Sequence, residues 1–257
     1  MALETALVTG ASGGIGLELA RVLASRNHPL VVVARQEDRL QALAAELRVP
    51  VEVIALDLGQ PGSARQLYDE VKRRGLRVEI VINNAGFGHN GPFLEADLDM
   101  LTSMMELNMV TLTELCHLFG QELAAGGRGR IMNVASTAAF QPGPWMAVYY
   151  ATKAYVLSLS EALHEELRPR GVTVTALCPG PTRTGFQDRA ELGGARFLKY
   201  LTMMEARPVA DQGYQAMMAG RSLHVPGLFN RLMALSVRFA PRFLATRLSG
   251  QMARKEH

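Results

Sequence analysis

Short, continuous apolar runs alternate along the chain with longer stretches in which apolar residues recur at helical spacing. Continuous runs are typical of parallel strands covered on both faces, whereas half-exposed strands alternate apolar and polar residues. Six strands are predicted, at residues 5–8, 30–34, 51–56, 78–82, 130–134 and 172–177. Because a helical stretch follows each strand, the pattern predicts an α/β fold of three layers with a doubly wound parallel sheet.

Two of the predicted helices contain residues that disfavour a regular helix. The helix predicted over 97–123 carries Asn108, a poor helix former that indicates a kink or a bound water.

Residues 222–225 form at most a short strand, ended by Pro226 and Gly227. Residues 228–252 again show apolar positions at helical spacing, and Pro241 should kink or split that helix.

The length and the charge distribution divide the chain into a main part and a tail. At 257 residues and 48% hydrophobic content, residues 1–226 are predicted to form one domain, and 227–257 a C-terminal helical extension. The net charge is +3, but residues 221–257 alone carry +6. The basic amphipathic extension fits a membrane surface with anionic lipid. The pattern of the extension is more typical of a helix that covers a pocket or contacts a partner subunit. Nucleic-acid binding is not expected, because no recognisable module accompanies the charge.

Several classes of protein are excluded by what the composition lacks. The two cysteines, Cys116 and Cys178, are far apart inside apolar segments, which predicts buried free thiols and neither a disulfide nor a metal site. The first strand begins near Glu4, so no room is left for a signal peptide. No apolar run approaches the ~20 residues that a membrane span requires. We therefore expect a cytoplasmic protein without a metal.

A glycine cluster follows the first predicted strand and precedes a helix. The order of strand, glycine turn and helix is the context in which small residues let the backbone approach a pyrophosphate, and the N–H groups at the helix start attract its charge. The glycines are spaced G-x-x-x-G-x-G. The residues predicted to contact the phosphates are Gly10, Ser12, Gly14, Ile15 and Gly16.

Polar groups also stand where later strands end. Arg35 lies nineteen residues after Gly16, where a dinucleotide fold reads the adenosine ribose, and an arginine there favours NADP(H) over NAD(H). Asp57 can accept a hydrogen bond from the adenine amino group, and the backbone N–H of Leu58 can donate to the ring. Asn84 and Ala85 should form a polar corner beside a flat ligand.

The candidate chemistry is concentrated between Ser136 and Lys153. On a helix, Tyr149 and Lys153 are i,i+4 neighbours and project from one face. An ammonium beside a phenol should lower the phenol pKa, so that Tyr149 could exchange a proton with a hydroxyl or carbonyl oxygen near neutral pH. Ser136, at the end of the preceding strand, would hydrogen-bond the same substrate oxygen.

Together these motifs resemble the short-chain dehydrogenase/reductase family in order and spacing, over residues 4–184. The resemblance implies a Rossmann-like fold, NADP(H) as cofactor, and a homodimer or homotetramer. It makes Tyr149 the general acid/base, Lys153 a ligand of the nicotinamide ribose, and Ser136 the group that polarises the substrate carbonyl. Asn108 would hold a water that links Lys153 to solvent. Pro179, Gly180 and Thr182 would touch the nicotinamide amide or the pyrophosphate.

The substrate is predicted from the residues around this centre. Residues 140–146 should form one wall of the pocket, and residues 184–207 a lid rich in aromatic side chains and methionine. A fairly large apolar carbonyl compound fits best: a keto-acyl, steroid-like or aromatic ketone. Two alternatives stay open: an NADP(H)-binding redox sensor without turnover, and a non-redox dehydratase or epimerase using the same residues.

Overall fold

The computed structural model describes residues 4–186, 190 and 203–254, which contain a seven-stranded parallel sheet in the order β3-β2-β1-β4-β5-β6-β9. Its strands are β1 (Ala6–Thr9), β2 (Leu30–Ala34), β3 (Val51–Ala55), β4 (Ile80–Asn83), β5 (Gly129–Val134), β6 (Val172–Leu177) and β9 (Leu223–His224). The two-residue strands β7 (Thr182–Arg183) and β8 (Met204–Glu205) form a separate parallel pair. The helices are α1 (Gly14–Ser25), α2 (Glu37–Glu46), α3 (Ser63–Arg73), α4 (Leu98–Met105), α5 (Leu112–Ala125), α6 (Ala147–Leu167), α7 (Ala206–Met218), α8 (Leu228–Ser236) and α9 (Arg242–Ala253).

Strand β1 lies in the interior of the sheet between β2 and β4, where the strand order reverses. In register, Ala6 stands opposite Leu30 of β2 on one side and Ile80 of β4 on the other. Ligands of doubly wound folds bind in the crevice at such a reversal, outside the carboxyl ends of the strands. The predicted doubly wound parallel sheet is confirmed, and the seventh strand is as short as the sequence indicates.

Two apolar cores cover the two faces of the sheet, because successive strand residues point in opposite directions. Leu7, Val81 and Ile131 pack against helices α3, α5 and α6 on one face. Their neighbours Val8, Ile82 and Met132 pack against α1, α2 and α7 on the other face. The three predicted layers are therefore present. The uninterrupted burial of β1, β2 and β4 explains why these strands are apolar at every position but their ends.

The segment around Asn108 differs from the prediction. The expected single helix over 97–123 is divided into α4, a π-helical segment at Glu106–Thr111 and α5. A π-helical segment inside an α-helix inserts one extra residue into the turn, and such segments are frequent at functional sites. The irregularity that Asn108 indicates is thus a change of helical register.

The C-terminal extension folds back onto the main part of the chain. Pro241 separates α8 from α9 and stands at the N-cap of α9, which confirms that this residue splits the predicted helix. In the ranges that the structure describes, no helix combines the length and the apolar character needed to cross a bilayer.

Candidate active site

The glycine turn packs closely against the residues that follow β4. A Cβ on Gly10 would lie 2.7 Å from Asn84 Nδ2, and one on Gly16 would overlap both that amide and the carbonyl oxygen of Gly10. Gly10 and Gly14 also have positive φ angles, of 68° and 58°. Only glycine satisfies these conditions without strain. Ser12 and Ile15 are half-buried within the same turn.

Asn84 holds this turn in place. Its side-chain amide donates to the carbonyl oxygens of Thr9 (2.9 Å) and Gly10 (3.3 Å). The Thr9 hydroxyl in turn accepts from the backbone N–H groups of Asn84 and Ala85, both at 3.0 Å. The sequence predicts Asn84 and Ala85 as cofactor ligands. In the structure, the main contacts of both residues position the glycine turn.

Among the described residues, the start of α1 carries no side-chain cap that would exclude an anion. Gly13, at its N-cap, makes no side-chain cap, and no acidic residue stands in the first turn. A Cβ added to Gly13 would meet no atom within 4 Å, in contrast to Gly10 and Gly16. Among the described residues, Gly10 and Gly16 therefore pack against the fold, Gly14 lies close to the Thr184 side chain, and Gly13 leaves space for a ligand beside the helix N-terminus.

Arg35 and Asp57 stand at the same edge of the sheet, one strand apart. Arg35 is exposed directly after β2, whose Val33 carbonyl accepts from the N–H of Gly10 at 2.8 Å. Asp57 is half-buried, and its Oδ1 accepts from the N–H of Gly59 at 3.0 Å. Leu58 is buried, and its carbonyl oxygen accepts from Ser63 and Thr111 hydroxyls.

Ser136, Tyr149 and Lys153 meet beyond the carboxyl end of β5. Ser136 caps a 3-10 helix at Thr137–Phe140 and accepts from the N–H of Ala138 at 3.1 Å. Tyr149 lies in the first turn of α6, and Lys153 one turn further on the same face. Lys153 Nζ lies 5.8 Å from the centroid of the Tyr149 ring and donates to the carbonyl oxygen of Val134 at 2.8 Å.

Burial controls the protonation of this centre. Tyr149 is 9% exposed and Lys153 is 6% exposed. Burial raises the pKa of Tyr149 well above its ordinary value, and a hydrogen bond with the Ser136 side chain opposes that rise. Burial also lowers the pKa of Lys153 to about 8. The predicted lowering of the Tyr149 pKa is therefore not met in this structure, where desolvation is the largest influence and raises the pKa.

Asn108 connects the loop after β4 to α6. Its Oδ1 accepts from the N–H of Phe87 at 3.2 Å, and its Nδ2 donates to the Phe87 carbonyl (2.9 Å) and to Thr152 Oγ1 (3.1 Å). Thr152 in turn donates to the carbonyl of Tyr149 at 2.8 Å. Both amide hydrogens are used in these bonds, so any water bound by the side chain must donate to Oδ1. The predicted water relay stays a prediction, and the contacts add a positioning role.

The loop after β6 carries the predicted ligands Pro179, Gly180 and Thr182. The Pro179 carbonyl accepts from the N–H of Thr137 at 2.9 Å, which ties this loop to the Ser136 segment. A Cβ on Gly180 would lie 2.5 Å from Oδ1 of Asn230, a residue of α8. Thr182 is buried, and its hydroxyl donates to the Gly180 carbonyl at 2.9 Å.

Apolar side chains surround the phenol. The Phe186 ring lies 5.4 Å from the Tyr149 ring, centroid to centroid, and Gly88 lies close to both rings. A neighbouring hollow beside Tyr149 is lined by Leu101, Met104 and Met146, with His89 as its polar member. Phe186 belongs to the predicted lid. The predicted lid residues Phe197, Leu198, Tyr200 and Leu201 lie outside the described residues.

The predicted wall at 140–146 includes a strained residue. Trp145 has a φ of 70°, which is rare for a bulky side chain and is found where tertiary contacts hold it. Its carbonyl accepts from the N–H of Gly91 at 2.8 Å. Arg254, beyond α9, lies 5.9 Å from its ring. Strain of this kind depends on tertiary contacts, so sequence patterns do not reveal it.

Two further groups lie in this centre that the sequence patterns do not assign to it. Cys178, fully buried as predicted, accepts from the backbone N–H of Ser136, and burial raises its pKa to about 12. Helix α9 approaches the wall as well, since the Ser249 side chain contacts Tyr150 and a Cβ on Gly250 would lie 3.0 Å from Pro144. Within the described ranges, no group of three or more His, Cys, Asp or Glu residues is arranged to hold a metal ion.

Comparison with known proteins agrees with the fold. The chain is similar to a short-chain dehydrogenase from Sphingobium yanoikuyae solved in complex with NADPH: identity is 35%, the TM-score is 0.83, and 92% of this chain and 94% of that chain are covered. It is also similar to a bulky-bulky ketone specific alcohol dehydrogenase from Comamonas testosteroni, with 31% identity, a TM-score of 0.77 and coverage of 93% and 94%.

A curated relative is the very-long-chain 3-oxoacyl-CoA reductase of Homo sapiens, which is 31% identical over 182 residues. That match covers 68% of this chain and 58% of the relative. The family model described as short chain dehydrogenase matches residues 4–193, and therefore includes the glycine turn, Ser136, Tyr149 and Lys153. The sequence match and the shared architecture agree, and the chain belongs to the short-chain dehydrogenase/reductase family.

Proposed function

We propose that the protein is an NADP(H)-dependent oxidoreductase that interconverts a carbonyl and a secondary alcohol on a fairly large apolar substrate. The observation that carries this proposal is the position of Ser136, Tyr149 and Lys153. These three residues share one sheet edge with the glycine turn, so that a nucleotide on the turn and a substrate on the phenol would be neighbours.

The residues of the turn fit a dinucleotide. Gly10 and Gly16 keep the backbone tightly packed, while Gly13 leaves the N-terminus of α1 open to a pyrophosphate. Arg35 would hold the 2′-phosphate of NADP(H), because it is exposed at the end of β2 with no acid beside it in sequence. The NADPH complex of the Sphingobium relative supports this preference. When bound, the reduced cofactor supplies a hydride to the carbonyl carbon of the substrate.

The protein's own residues would manage the proton and the charge on the carbonyl oxygen. Burial keeps Tyr149 protonated at neutral pH, which is the state that a proton donor requires. Its phenol donates the proton to the oxygen, while the Ser136 hydroxyl donates a hydrogen bond to the same atom. Lys153 is largely cationic at neutral pH, given its pKa of about 8. Its charge favours the phenolate that remains. Alcohol oxidation reverses these steps.

The apolar side chains around Tyr149 favour an apolar substrate. Leu101, Met104 and Met146 line one side, and Phe186 covers another. His89 is the polar group within this wall and could orient a second oxygen of the substrate. The names of two relatives indicate large carbonyl substrates, which are a very-long-chain 3-oxoacyl-CoA for one and bulky-bulky ketones for the other. A 3-oxoacyl thioester or an aryl ketone is thus the substrate class that we propose.

The test is a substrate series assayed by oxidation of NADPH at fixed protein concentration. It should include 3-oxoacyl thioesters of increasing chain length, diaryl ketones and acetone. We expect kcat/KM to rise with apolar size by roughly tenfold for every two methylenes buried, since each contributes about 0.8 kcal/mol. Acetone should be a poor substrate, and NADH a poorer reductant than NADPH.

Other outcomes would separate the alternatives. Tight NADPH binding without turnover of any carbonyl or alcohol would contradict the proposal and favour the redox sensor. A product formed from a hydroxyacyl or epimerisable substrate without net oxidation of NADPH would favour a dehydratase or epimerase. Equal kcat/KM for acetone and diaryl ketones would leave the reaction class intact but contradict the proposed substrate size.

A further inference from the structure

The C-terminal helical pair, defined here as α8, α9 and the turn between them (residues 228–253), packs on the fold through small residues. Its buried positions are Ala234, Ser249, Gly250 and Ala253. The Ala253 carbonyl accepts from Nδ2 of Asn90 at 3.0 Å, which fixes the end of α9. The inner side of the pair therefore covers the wall of the pocket, as one of the interpretations of the sequence expects.

The outer side of the helical pair carries the large apolar residues. Nine of the fifteen large hydrophobic side chains that are exposed in the described ranges lie in this short segment. They are Leu228, Phe229, Leu232, Met233, Leu235, Phe239, Phe243, Leu244 and Leu248, and they are between 41% and 82% exposed. A concentration of this kind on a protein surface marks a site of interaction with a membrane or another protein.

The charge of the same surface has one sign. Arg231, Arg238, Arg242 and Arg247 are all exposed, and residues 221–254 contain no Asp or Glu. Among the described residues, no acid forms an ion pair with Arg238 or Arg242. These two arginines line an open cleft of about 360 Å³. Small and apolar residues make up the rest of its lining: Ala139, Phe140, Pro142, Val237, Ala240 and Ala245.

We propose that the helical pair is a peripheral membrane-binding surface for anionic phospholipid. The exposed leucine and phenylalanine side chains enter the acyl-chain region, and the arginines bind head-group phosphates. Arg238 and Arg242 form a phosphate site in the cleft, because guanidinium groups bind phosphate oxygens with two parallel hydrogen bonds. Neither helix is long enough to span a bilayer, so the pair lies along the surface.

The charge favours a lipid surface over a second copy of this chain. A two-fold interface places the same patch of both subunits face to face. Such a contact through the helical pair would bring the arginines of both copies together with no acidic residue of the segment to compensate. Anionic lipid supplies the missing negative charge, and juxtamembrane Lys and Arg each contribute about 1 kcal/mol to such binding.

The test is co-sedimentation of the full-length protein with vesicles of phosphatidylcholine alone and of phosphatidylcholine mixed equally with phosphatidylglycerol. We expect binding to the mixed vesicles, weakened by high salt, and little binding to the neutral ones. The double variant R238Q/R242Q should bind the mixed vesicles roughly 30-fold more weakly, which corresponds to about 1 kcal/mol for each arginine. The double variant F239S/F243S should lose binding by at least as much.

The double variant L94S/L98S is the matched control, because Leu94 and Leu98 are at least as exposed as most of the apolar residues of the helical pair but lie outside it. This variant should bind like the wild type, and an equal thermal unfolding midpoint for all variants verifies their folding. Absence of binding to anionic vesicles, or equal binding to both kinds of vesicle, would overturn the proposal. So would a dimer that F239S/F243S dissociates in the absence of vesicle binding, since it would assign the surface to a second copy.

Discussion

The two sides of the proposed catalytic crevice differ in the kind of group that forms them. On the nucleotide side, glycines, backbone carbonyls and the Asn84 amide form the contacts, and an added methyl group at Gly10 or Gly16 has no space. On the substrate side, the wall consists of side chains of mixed size, a strained Trp145 and a helix that arrives from the end of the chain. The first side is specified by backbone geometry, and the second by side chains that can be exchanged.

This difference indicates where substitutions should act. A change on the nucleotide side should affect every substrate equally, because it alters the fold of the turn or the affinity for the cofactor. A change in the substrate wall should alter the choice among substrates. Tyr149 and Lys153 stand between the two sides, and burial governs their protonation. The next three predictions test this division and the residues at its boundary, from the largest expected change in free energy to the smallest.

The buried amine of Lys153 should make stability depend on pH. Its pKa falls from 10.5 to about 8 on folding, so between these values the unfolded chain binds more protons, and stability rises with pH. Below pH 8 the full cost of burying the cation is present. Relative to the Lys153→Met variant, the wild-type free energy of unfolding should increase by about 3 kcal/mol across this window. Urea unfolding at several pH values measures the free energy of unfolding of both proteins. The difference between the two removes the contributions of Tyr149 and the thiols, which both proteins contain. If the free energies of unfolding of the two proteins changed with pH in parallel, the Lys153 amine would not be desolvated.

Gly16 and Gly13 form a matched pair on the nucleotide side. Gly16→Ala should destabilise the protein by about 2 kcal/mol, because the new methyl group overlaps the Gly10 carbonyl and the Asn84 amide. Gly13→Ala meets no neighbouring atom and should change stability by less than about 0.5 kcal/mol. Thermal unfolding without added ligand compares the two variants. Equal midpoints would contradict the tight packing of the turn.

The smallest of these effects concerns the choice of nicotinamide cofactor. Arg35→Asp should shift the ratio of the NADPH and NADH dissociation constants by roughly tenfold toward NADH, since Arg35 is exposed and a hydrogen bond to a charged group contributes about 1.5 kcal/mol at the low end of its range. Arg48, also exposed but beyond α2, provides the control Arg48→Asp. Fluorescence titration measures both constants. A wild type that prefers NADH, or a ratio that Arg35→Asp leaves unchanged, would remove Arg35 from the site.

The sequence predicts the nucleotide side well, and the reason is physical. Fully buried parallel strands must be apolar at nearly every position, so β1, β2 and β4 are visible as runs. Turns that admit no Cβ must contain glycine, so the turn at Gly10–Gly16 is visible as well. Both signals are local, and tertiary contacts do not override them.

Features that arise from tertiary contacts are not predicted in the same way. The hydrogen bonds of Asn108 to Phe87 and Thr152 accompany a π-helical segment, where the sequence indicates only a kink or a bound water within one helix. The direction of the Tyr149 pKa shift depends on how deeply the phenol is buried, which the i,i+4 spacing to Lys153 does not reveal. Helical spacing predicts that residues 228–252 have an apolar side, but not that the small residues turn inward and the large ones outward.

The most direct test of the proposed chemistry compares Tyr149→Phe with Tyr150→Phe, because the two rings are adjacent, at 6.1 Å, and only the first lies one turn before a lysine on α6. Turnover of a bulky ketone and NADPH affinity should be measured on the same samples. We predict that Tyr149→Phe loses roughly 10³-fold in turnover, within the range expected for a general acid, with little change in NADPH affinity. Tyr150→Phe should retain most of its activity. Full turnover by Tyr149→Phe, or an equal loss in both variants, would contradict the account.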